Sequence, residues 1–269
     1  MTRTPYPRDG TVLSLCRSGD GVPFVFQHGL CGDAHQPADV MPDGCGFACV
    51  TLECRGHGES GAGPLEALSI ATFADDVASA IERLEAGPVV LGGISMGAAL
   101  ALRLAVTRPD LVRGLVLARP AWVTGPAPPN MRPNALAGEL LATWPAALAR
   151  ARFEASDEAA ALAVSAPDNL ASIRGFFSRV PQDVTAALLT RISADGPGVS
   201  EADVAALAVP TLVIGHGRDT VHPIANARHL AQTIRLARLV EITPKADDPQ
   251  RYRSDFRAAL AAFLTELRP

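Results

Sequence analysis

Ser95 is the residue of this chain whose type and surroundings most directly suggest chemistry. It is the central residue of GISMG at 93–97, which follows the apolar run at 88–92 and precedes an alanine- and leucine-rich stretch. A G-x-S-x-G sequence between a strand and a helix forms a sharp turn that exposes the serine at its apex. The start of the helix beside that serine favours developing negative charge. We therefore expect Ser95 to be a nucleophile, and glycine to be required on both sides because a side chain would collide with neighbouring backbone.

Three other short motifs accompany this serine turn. They are FQHGL at residues 26–30, RGHGES at residues 55–60 and, more weakly, GHGRDTVHP at residues 215–223. Together with the serine turn they make the chain resemble the α/β-hydrolase superfamily from about residue 12 to residue 267. The resemblance implies an α/β fold with a mostly parallel, doubly wound sheet and an inserted helical cap. It does not specify a substrate.

The resemblance also implies roles for individual residues. Ser95 would be the nucleophile, and the backbone N–H groups of Leu30 and Met96 would form the oxyanion hole. Asp219 would be the acid of the catalytic triad, in the family's order of serine before aspartate. Acyl transfer places negative charge on one oxygen, and two fixed amides can stabilise that charge by several kcal/mol.

The general base of the triad is missing from its usual place. Members of the superfamily carry a histidine in the loop after the last strand, which here corresponds to TPKADD at residues 243–248. That loop has no histidine, and none follows His229 in the sequence. The usual triad is therefore incomplete, and two residues are candidates to fill the gap.

Lys245, the only lysine of the chain, stands in this loop. A free lysine has a pKa of about 10.4, and a neighbouring carboxylate raises that value. Beside Asp219, Lys245 would stay an ammonium that cannot take the proton of Ser95. It could instead hold Asp219 or bind a carboxylate of the substrate, and we assign it to substrate binding. An exposed loop lysine without such a role is the alternative.

His222 is the other candidate for the general base. It follows Asp219 by three residues, and Pro223 suits the first position of a helix, so His222 would lie near the rim of the site. The ordinary pKa of histidine suits general base catalysis at neutral pH. Family members that keep the usual histidine also contain an Asp-x-x-His-Pro sequence, so this histidine need not be the base. The candidate catalytic residues are therefore Ser95, Asp219 and His222.

Strand-like and helix-like segments alternate along much of the chain, which is typical of a parallel sheet covered on both faces. The predicted strands lie at residues 12–16, 23–27, 47–53, 88–92, 114–118, 211–215 and 238–242. The predicted helices lie at residues 72–85, 96–107, 223–233 and 249–267.

The strand pattern stops between residues 120 and 209, where alanine-rich helical segments and several large apolar residues follow a proline-rich start. We assign residues 1–120 and 210–269 to an α/β-hydrolase core and residues 121–209 to a helical cap. Such a cap would exclude water and shape a pocket. Trp122, at its start, is assigned to substrate binding; the alternative is that it only packs the cap onto the core.

Composition narrows the class of protein further. The 269 residues are 48% hydrophobic with a net charge of −4, and no basic stretch points to nucleic acid or an anionic membrane. The first residues lack the apolar core of a signal peptide, which predicts a cytoplasmic protein with its five cysteines reduced. No metal or dinucleotide motif is apparent, so we expect no cofactor and a small-molecule substrate. The oligomeric state stays open.

Two functions remain after the sequence analysis. The first is a serine hydrolase that acts on a small carboxylic ester, lactone or related acyl compound through Ser95. The second is a non-catalytic protein that binds a small ligand and has lost the triad histidine. Other chemistry on the same fold, such as proton transfer or carbon–carbon cleavage, has no specific support in the residues.

Overall fold

A computed structural model describes residues 1–268 and contains one sheet of eight strands in the order β1-β2-β4-β3-β5-β6-β7-β8. The strands are β1 (Thr2–Arg8), β2 (Thr11–Ser18), β3 (Val22–Gln27), β4 (Phe47–Glu53), β5 (Val89–Ile94), β6 (Val112–Ala118), β7 (Thr211–Gly215) and β8 (Ala237–Glu241). Strand β2 is antiparallel to both β1 and β4, and every other pair is parallel. The prediction of a mostly parallel α/β sheet is confirmed.

Helices cover both faces of this sheet, as a doubly wound fold requires. The helices are α1 (His35–Val40), α2 (Ile70–Arg83), α3 (Met96–Thr107), α4 (Arg132–Thr143), α5 (Ala146–Glu154), α6 (Asp157–Ser165), α7 (Pro167–Phe176), α8 (Gln182–Ala194), α9 (Glu201–Ala206), α10 (Ile224–Thr233) and α11 (Pro249–Glu266). Short 3₁₀ turns occur at Leu65–Ala67, Pro109–Leu111 and Pro129–Met131. Across residues 1–268, every helix is too short or too polar to cross a bilayer.

The alternation of side chains along each strand divides the core into two layers. On β3, Phe24 and Phe26 point to the face covered by α1 and α11, where Phe26 lies 6.5 Å from Phe256 between ring centroids. Val25 points to the opposite face, which α2, α3 and α10 cover. Strands buried on both faces need continuous apolar runs, which is why their positions could be predicted from the sequence.

Strand β1 is not among the strands predicted from the sequence. Pro5 and Pro7 disfavour the prediction of a strand in this segment, because proline has no N–H to donate to a neighbouring strand. The structure places β1 at the edge of the sheet, where it pairs with β2 alone and proline is tolerated.

Six helices, α4 to α9, lie between β6 and β7, and we call the segment of the first five, residues 132–194, the helical insertion. Helix α4 packs against α8, and Gly138 lets them come close because a Cβ there would lie 2.8 Å from Leu189 Cβ. Helix α9, which also falls in the segment assigned to the cap, packs instead against α3 and α10. Within the insertion, α4, α7 and the segment that follows α7 contribute residues to the cavity beside Ser95.

The parallel strands bring four loops together at one edge of the sheet. The carboxyl ends of β3, β5, β6 and β7 lead directly into His28, Ser95, Arg119 and the segment that contains Asp219. In open α/β sheets this edge is where ligands bind.

Gly97 makes the turn at Ser95 possible, and its replacement gives a test of the packing there. A Cβ at position 97 would lie 2.4 Å from the carbonyl oxygen of Gln27, a backbone atom that cannot move independently of β3. We expect Gly97→Ala to lower the free energy of unfolding by about 1–3 kcal/mol, measured by urea denaturation. Gly125→Ala is the matched control, because a Cβ there meets no atom within 4 Å. Equal stability of the two variants would contradict this account.

Candidate active site

Ser95 occupies a strained backbone conformation between β5 and α3. Its φ of 57° and ψ of −112° lie in a region that residues with a side chain rarely adopt. The conformation is held because Ser95 N–H donates to the carbonyl of Ala118 at 2.9 Å, while Gly93 and Gly97 leave space for the turn. Ser95 is 8% exposed and lines a cavity. The expected sharp turn is therefore present.

Two backbone N–H groups beside Ser95 have no acceptor within residues 1–268. The N–H of Met96 is at the first position of α3, where no carbonyl of the helix can accept from it. The N–H of Leu30 lies in the turn after β3 and is also without an acceptor. That turn runs close to the nucleophile candidate, since a Cβ on Gly29 would lie 3.4 Å from Ser95 Cβ. The arrangement suits an oxygen that carries negative charge.

The cavity next to Ser95 has a volume of about 340 Å³ and lies between the sheet edge and the helical insertion. From the insertion, α7 contributes Ile173 and Phe176 to its wall, and α4 contributes Asn134. Arg119 and Arg179 also line it, whereas no lysine, aspartate or glutamate of the described chain does. A concave site of this size, in which apolar side chains and several polar groups converge, is typical of small-molecule sites.

Asp219 and His222 form a hydrogen-bonded pair at the edge of this cavity. His222 Nδ1 lies 2.9 Å from both carboxylate oxygens of Asp219, and the backbone N–H of His222 donates to the same carboxylate at 3.0 Å. Because an ionised carboxylate can only accept, Nδ1 carries the proton and Nε2 is left as the basic nitrogen. His222 lines the cavity together with Ser95. Ser95 Oγ makes no hydrogen bond with any of residues 1–268.

Arg119 is a further charged group of the site, which the sequence analysis did not single out. Its Nε and Nη2 lie 2.8 Å and 2.6 Å from Asp219 Oδ2, and Nη2 lies 3.7 Å from a carboxylate oxygen of Asp168. A charged residue directly after the apolar strand β6 was the signal that could have found it.

Burial and the charge of Arg119 shift the pKa values of the pair. Burial raises the pKa of Asp219, but the cation of Arg119 and the neighbouring His222 outweigh it and hold that pKa well below its usual range. Burial also lowers the pKa of His222, and Arg119 lowers it further, against the opposing effect of Asp219. The lowered pKa favours the neutral form of His222, which is the form that a general base requires.

His216 lies behind Asp219, away from the cavity wall. Its Nε2 is 3.5 Å from Asp219 Oδ2, its ring packs edge-on against Tyr252, and neither ring nitrogen has a hydrogen-bond partner within the described residues. Burial lowers the pKa of His216 to about 4, so the ring is neutral. His216 could help to hold the carboxylate but is not placed to reach Ser95 through the cavity.

The structure places two of the candidate residues outside the cavity. Trp122 is 1% exposed and its indole N–H donates to the carbonyl of Asp195 at 2.8 Å, which fits the alternative that it packs the protein interior. Lys245 is exposed in the loop between β8 and α11 and forms no ion pair with Asp219. Arg119, and not Lys245, is the cation that pairs with Asp219.

His28 and His57 stack in the loops beneath the site and shape them through hydrogen bonds. Nε2 of His28 accepts from the N–H of Cys54 at 3.0 Å, and Nδ1 of His57 donates to the carbonyl of Arg55 at 3.0 Å. Their ring centroids lie 4.7 Å apart, and burial lowers the pKa of both. Two fully buried neutral rings of this kind have a structural role.

Comparison with known proteins points to one family. A family model described as alpha/beta hydrolase fold matches residues 22–249. Among curated proteins, the chain is 30% identical over 203 residues to the putative carbamate hydrolase RutD of Klebsiella pneumoniae, covering 73% of each. It is 34% identical over 118 residues to the sn-1-specific diacylglycerol lipase ABHD11 of Danio rerio, covering 43% of this chain and 37% of the lipase.

Solved structures agree with this fold. The enol-lactonase from Burkholderia xenovorans superposes with a TM-score of 0.71 at 24% identity, over 97% of this chain and 100% of the other. The alignment to the lipase spans less than half of the length of the lipase. It therefore supports membership of the same family, but not the activity of the whole lipase.

Proposed function

Because the chain belongs to the α/β-hydrolase fold family, we propose that it is a serine hydrolase that cleaves a small carboxylic ester, lactone or related acyl compound at Ser95. The observation that carries this proposal is the strained turn that presents Ser95 to a cavity beside two N–H groups without acceptors. Strain of this kind persists only where the surrounding structure maintains it, and it concentrates at functional sites.

The reaction begins when Ser95 Oγ attacks the carbonyl carbon of the substrate. His222 Nε2 takes the proton of the hydroxyl, and the carbonyl oxygen becomes an oxyanion bound by the N–H groups of Leu30 and Met96. Collapse of the tetrahedral intermediate breaks the bond to the leaving alcohol, which takes the proton back from His222. An acyl group is then bonded to Ser95. For a lactone, the alcohol stays attached to that acyl group.

Water completes the cycle by the same steps. His222 Nε2 removes a proton from the water as its oxygen attacks the acyl carbon, and Ser95 leaves with that proton. Asp219 holds the imidazole through Nδ1 and stabilises the imidazolium that forms in each half-reaction. The proton transfers require Nε2 to approach Ser95 Oγ more closely than in the structure, and such contacts often tighten only with substrate bound.

The helical insertion would serve as a cap over this reaction. Residues of α4 and α7 line the cavity opposite Ser95, so they could exclude water from the reacting groups and limit the size of the substrate. Two of the relatives, a putative carbamate hydrolase and a lipase, support hydrolysis as the reaction class. They agree neither on a substrate nor on a bond, which is why the proposal stays at acyl compounds.

A second candidate function is the binding of a small ligand without turnover. The observation that favours it is Arg119, whose charge is bonded to Asp219 and opposes the stabilisation of a protonated His222. A histidine that is harder to protonate is a weaker base. In that case, a ligand would raise the melting temperature without being consumed.

Labelling with a fluorophosphonate tests the hydrolase proposal directly. The reagent phosphonylates an activated serine by displacement of fluoride, and we expect one adduct per chain, located on Ser95 by peptide mass spectrometry. Ser95→Ala should not be labelled. Ser172→Ala is the matched control, because Ser172 lines the same cavity and its hydroxyl donates to the carbonyl of Asp168. Native protein that neither reacts nor hydrolyses short esters would rule the proposal out.

A further inference from the structure

Arg179 lies between α7 and α8 and brings a second guanidinium to the wall of the cavity. Its Nη1 donates to the carbonyl of Cys31 at 2.8 Å, and its Nη2 donates to the carbonyl of Gly56 at 3.0 Å. Its Nε is buried without an acceptor within residues 1–268. Since a guanidinium has five N–H donors, most of the hydrogen-bonding capacity of Arg179 is unused.

No carboxylate of the described chain neutralises Arg179. Arg119, the other arginine of the cavity wall, is bonded to Asp219 at 2.6 Å. Asp33 and Arg179 both line a neighbouring recess, yet no oxygen of Asp33 lies within 4 Å of the guanidinium. The positive charge of Arg179 is therefore uncompensated at a half-buried position, where an unpaired charge is costly.

A purely structural role explains only part of this arrangement. Arg191 on α8 shows what such a role looks like, since its Nε and Nη2 donate to the carbonyls of Leu68 and Glu66 outside the cavity. Arg179 makes the same kind of carbonyl contacts, but it also faces a cavity that has no acidic side chain among its lining residues. An anion in that cavity would compensate the charge and could accept from the remaining N–H groups of Nη1 and Nη2.

We propose that Arg179 binds a carboxylate of the substrate. The inference rests on the proposed function, and it restricts the substrate to acyl compounds that carry a second, free carboxylate, such as half-esters of dicarboxylic acids or carboxylated lactones. A guanidinium can hold a carboxylate through two parallel hydrogen bonds, which fixes its direction as well as its position.

The position of Arg179 also indicates where that carboxylate lies. Arg179 is bonded to the carbonyl of Cys31, the residue directly after Leu30, whose N–H would bind the reacting carbonyl oxygen. The free carboxylate therefore lies on the side of the cavity formed by this turn and by the end of α7. Hydrolysis of such a half-ester anion consumes one water and yields a dicarboxylate, an alcohol and a proton.

The proposal is tested with pairs of methyl esters of equal carbon number, in which one ester carries a free carboxylate and the other carries a methyl group in its place. Monomethyl succinate, glutarate and adipate are compared with methyl butyrate, valerate and hexanoate, and kcat/KM is followed by titration of the acid released. We expect the wild type to prefer one of the half-esters over its neutral partner by at least about tenfold. Arg179→Gln should reduce that ratio at least about tenfold, whereas Arg179→Lys, which keeps the charge, should retain part of it.

The ratio is the informative quantity because a disturbed Cys31 turn would slow both esters of a pair alike. Arg191→Gln is the matched control and should leave the ratio unchanged. If Arg179→Gln lowers both rates equally and the ratio stays the same, Arg179 only holds the turn and the proposal is overturned. The hydrolase function would stand in that case.

Binding without turnover separates this inference from the proposed function. Ser95→Ala protein should bind glutarate or succinate, as measured by calorimetry. The double variant Ser95→Ala/Arg179→Gln should not bind, and the double variant Ser95→Ala/Arg191→Gln is the control. If dicarboxylate binding depends on Arg179 while the wild-type protein hydrolyses none of the esters, the carboxylate site is supported and the hydrolase is refuted. Binding that is absent, or that persists in Arg179→Gln, would overturn the carboxylate site.

Discussion

Ser95→Ala is expected to lower kcat on a hydrolysed ester by about 10³-fold or more, because the proposed acyl intermediate forms on the Ser95 hydroxyl. The substitution keeps the Cβ, so the strained backbone at position 95 is no harder to adopt than in the wild type. The rate loss should therefore occur without a large change in melting temperature. Initial rates on methyl butyrate and a thermal unfolding curve measure the two quantities.

Ser172→Ala is the control for this result, since it removes another hydroxyl from the same cavity. We expect its rate to stay within a few-fold of the wild type. Turnover that survives Ser95→Ala would show that the hydrolysis proceeds without a serine nucleophile at this turn.

His222→Ala is expected to lower kcat/KM by about 10²–10⁴-fold, the usual contribution of a general base. The reason is the pair that His222 forms with Asp219, which leaves Nε2 as the proton acceptor on the side of the cavity. His229→Ala is the matched control, because His229 is exposed and bonded to Glu201 at 3.0 Å. The same ester assay, with added imidazole as a rescue test, measures the effect.

The pH profile gives an independent readout of the same base. Activity requires neutral His222, so kcat/KM rises with pH through the pKa of His222 and then levels off. Burial and the charge of Arg119 lower that pKa below its ordinary 6.5, so the rising limb should lie on the acidic side of 6.5. Activity lost in Lys245→Ala and kept in His222→Ala would contradict the assignment.

Most of the strands and helices of the sheet core could be predicted from local sequence patterns. Strand β4 and helix α3 begin and end where the apolar runs and the glycine turn predict, because a buried strand and a helix start are properties of consecutive residues. Strand β1 was missed since its two prolines are tolerated only at the edge of a sheet. An edge position depends on which strands pair, and the residues of a single strand do not determine its partners.

The candidate site was predictable to the same extent. The turn at Ser95 and the proximity of His222 to Asp219 involve residues that are close in sequence, so the motif and a three-residue spacing were enough to propose them. The assignment of Trp122 to the substrate rested on residue type alone, and the structure gives its indole a partner in the interior.

The sequence by itself predicted a sharp serine turn after a buried strand and, through the resemblance to the α/β-hydrolase superfamily, two neighbouring amides and a loop that contains Asp219. Only the tertiary structure decided the charges around them. Arg119 reaches Asp219 across 100 residues of chain, and Arg179 reaches Cys31 across 148. Backbone conformation follows from near neighbours, but the partner of a charge is set by the packing of distant segments. That is why one arginine is neutralised by an acid and the other is left for a ligand.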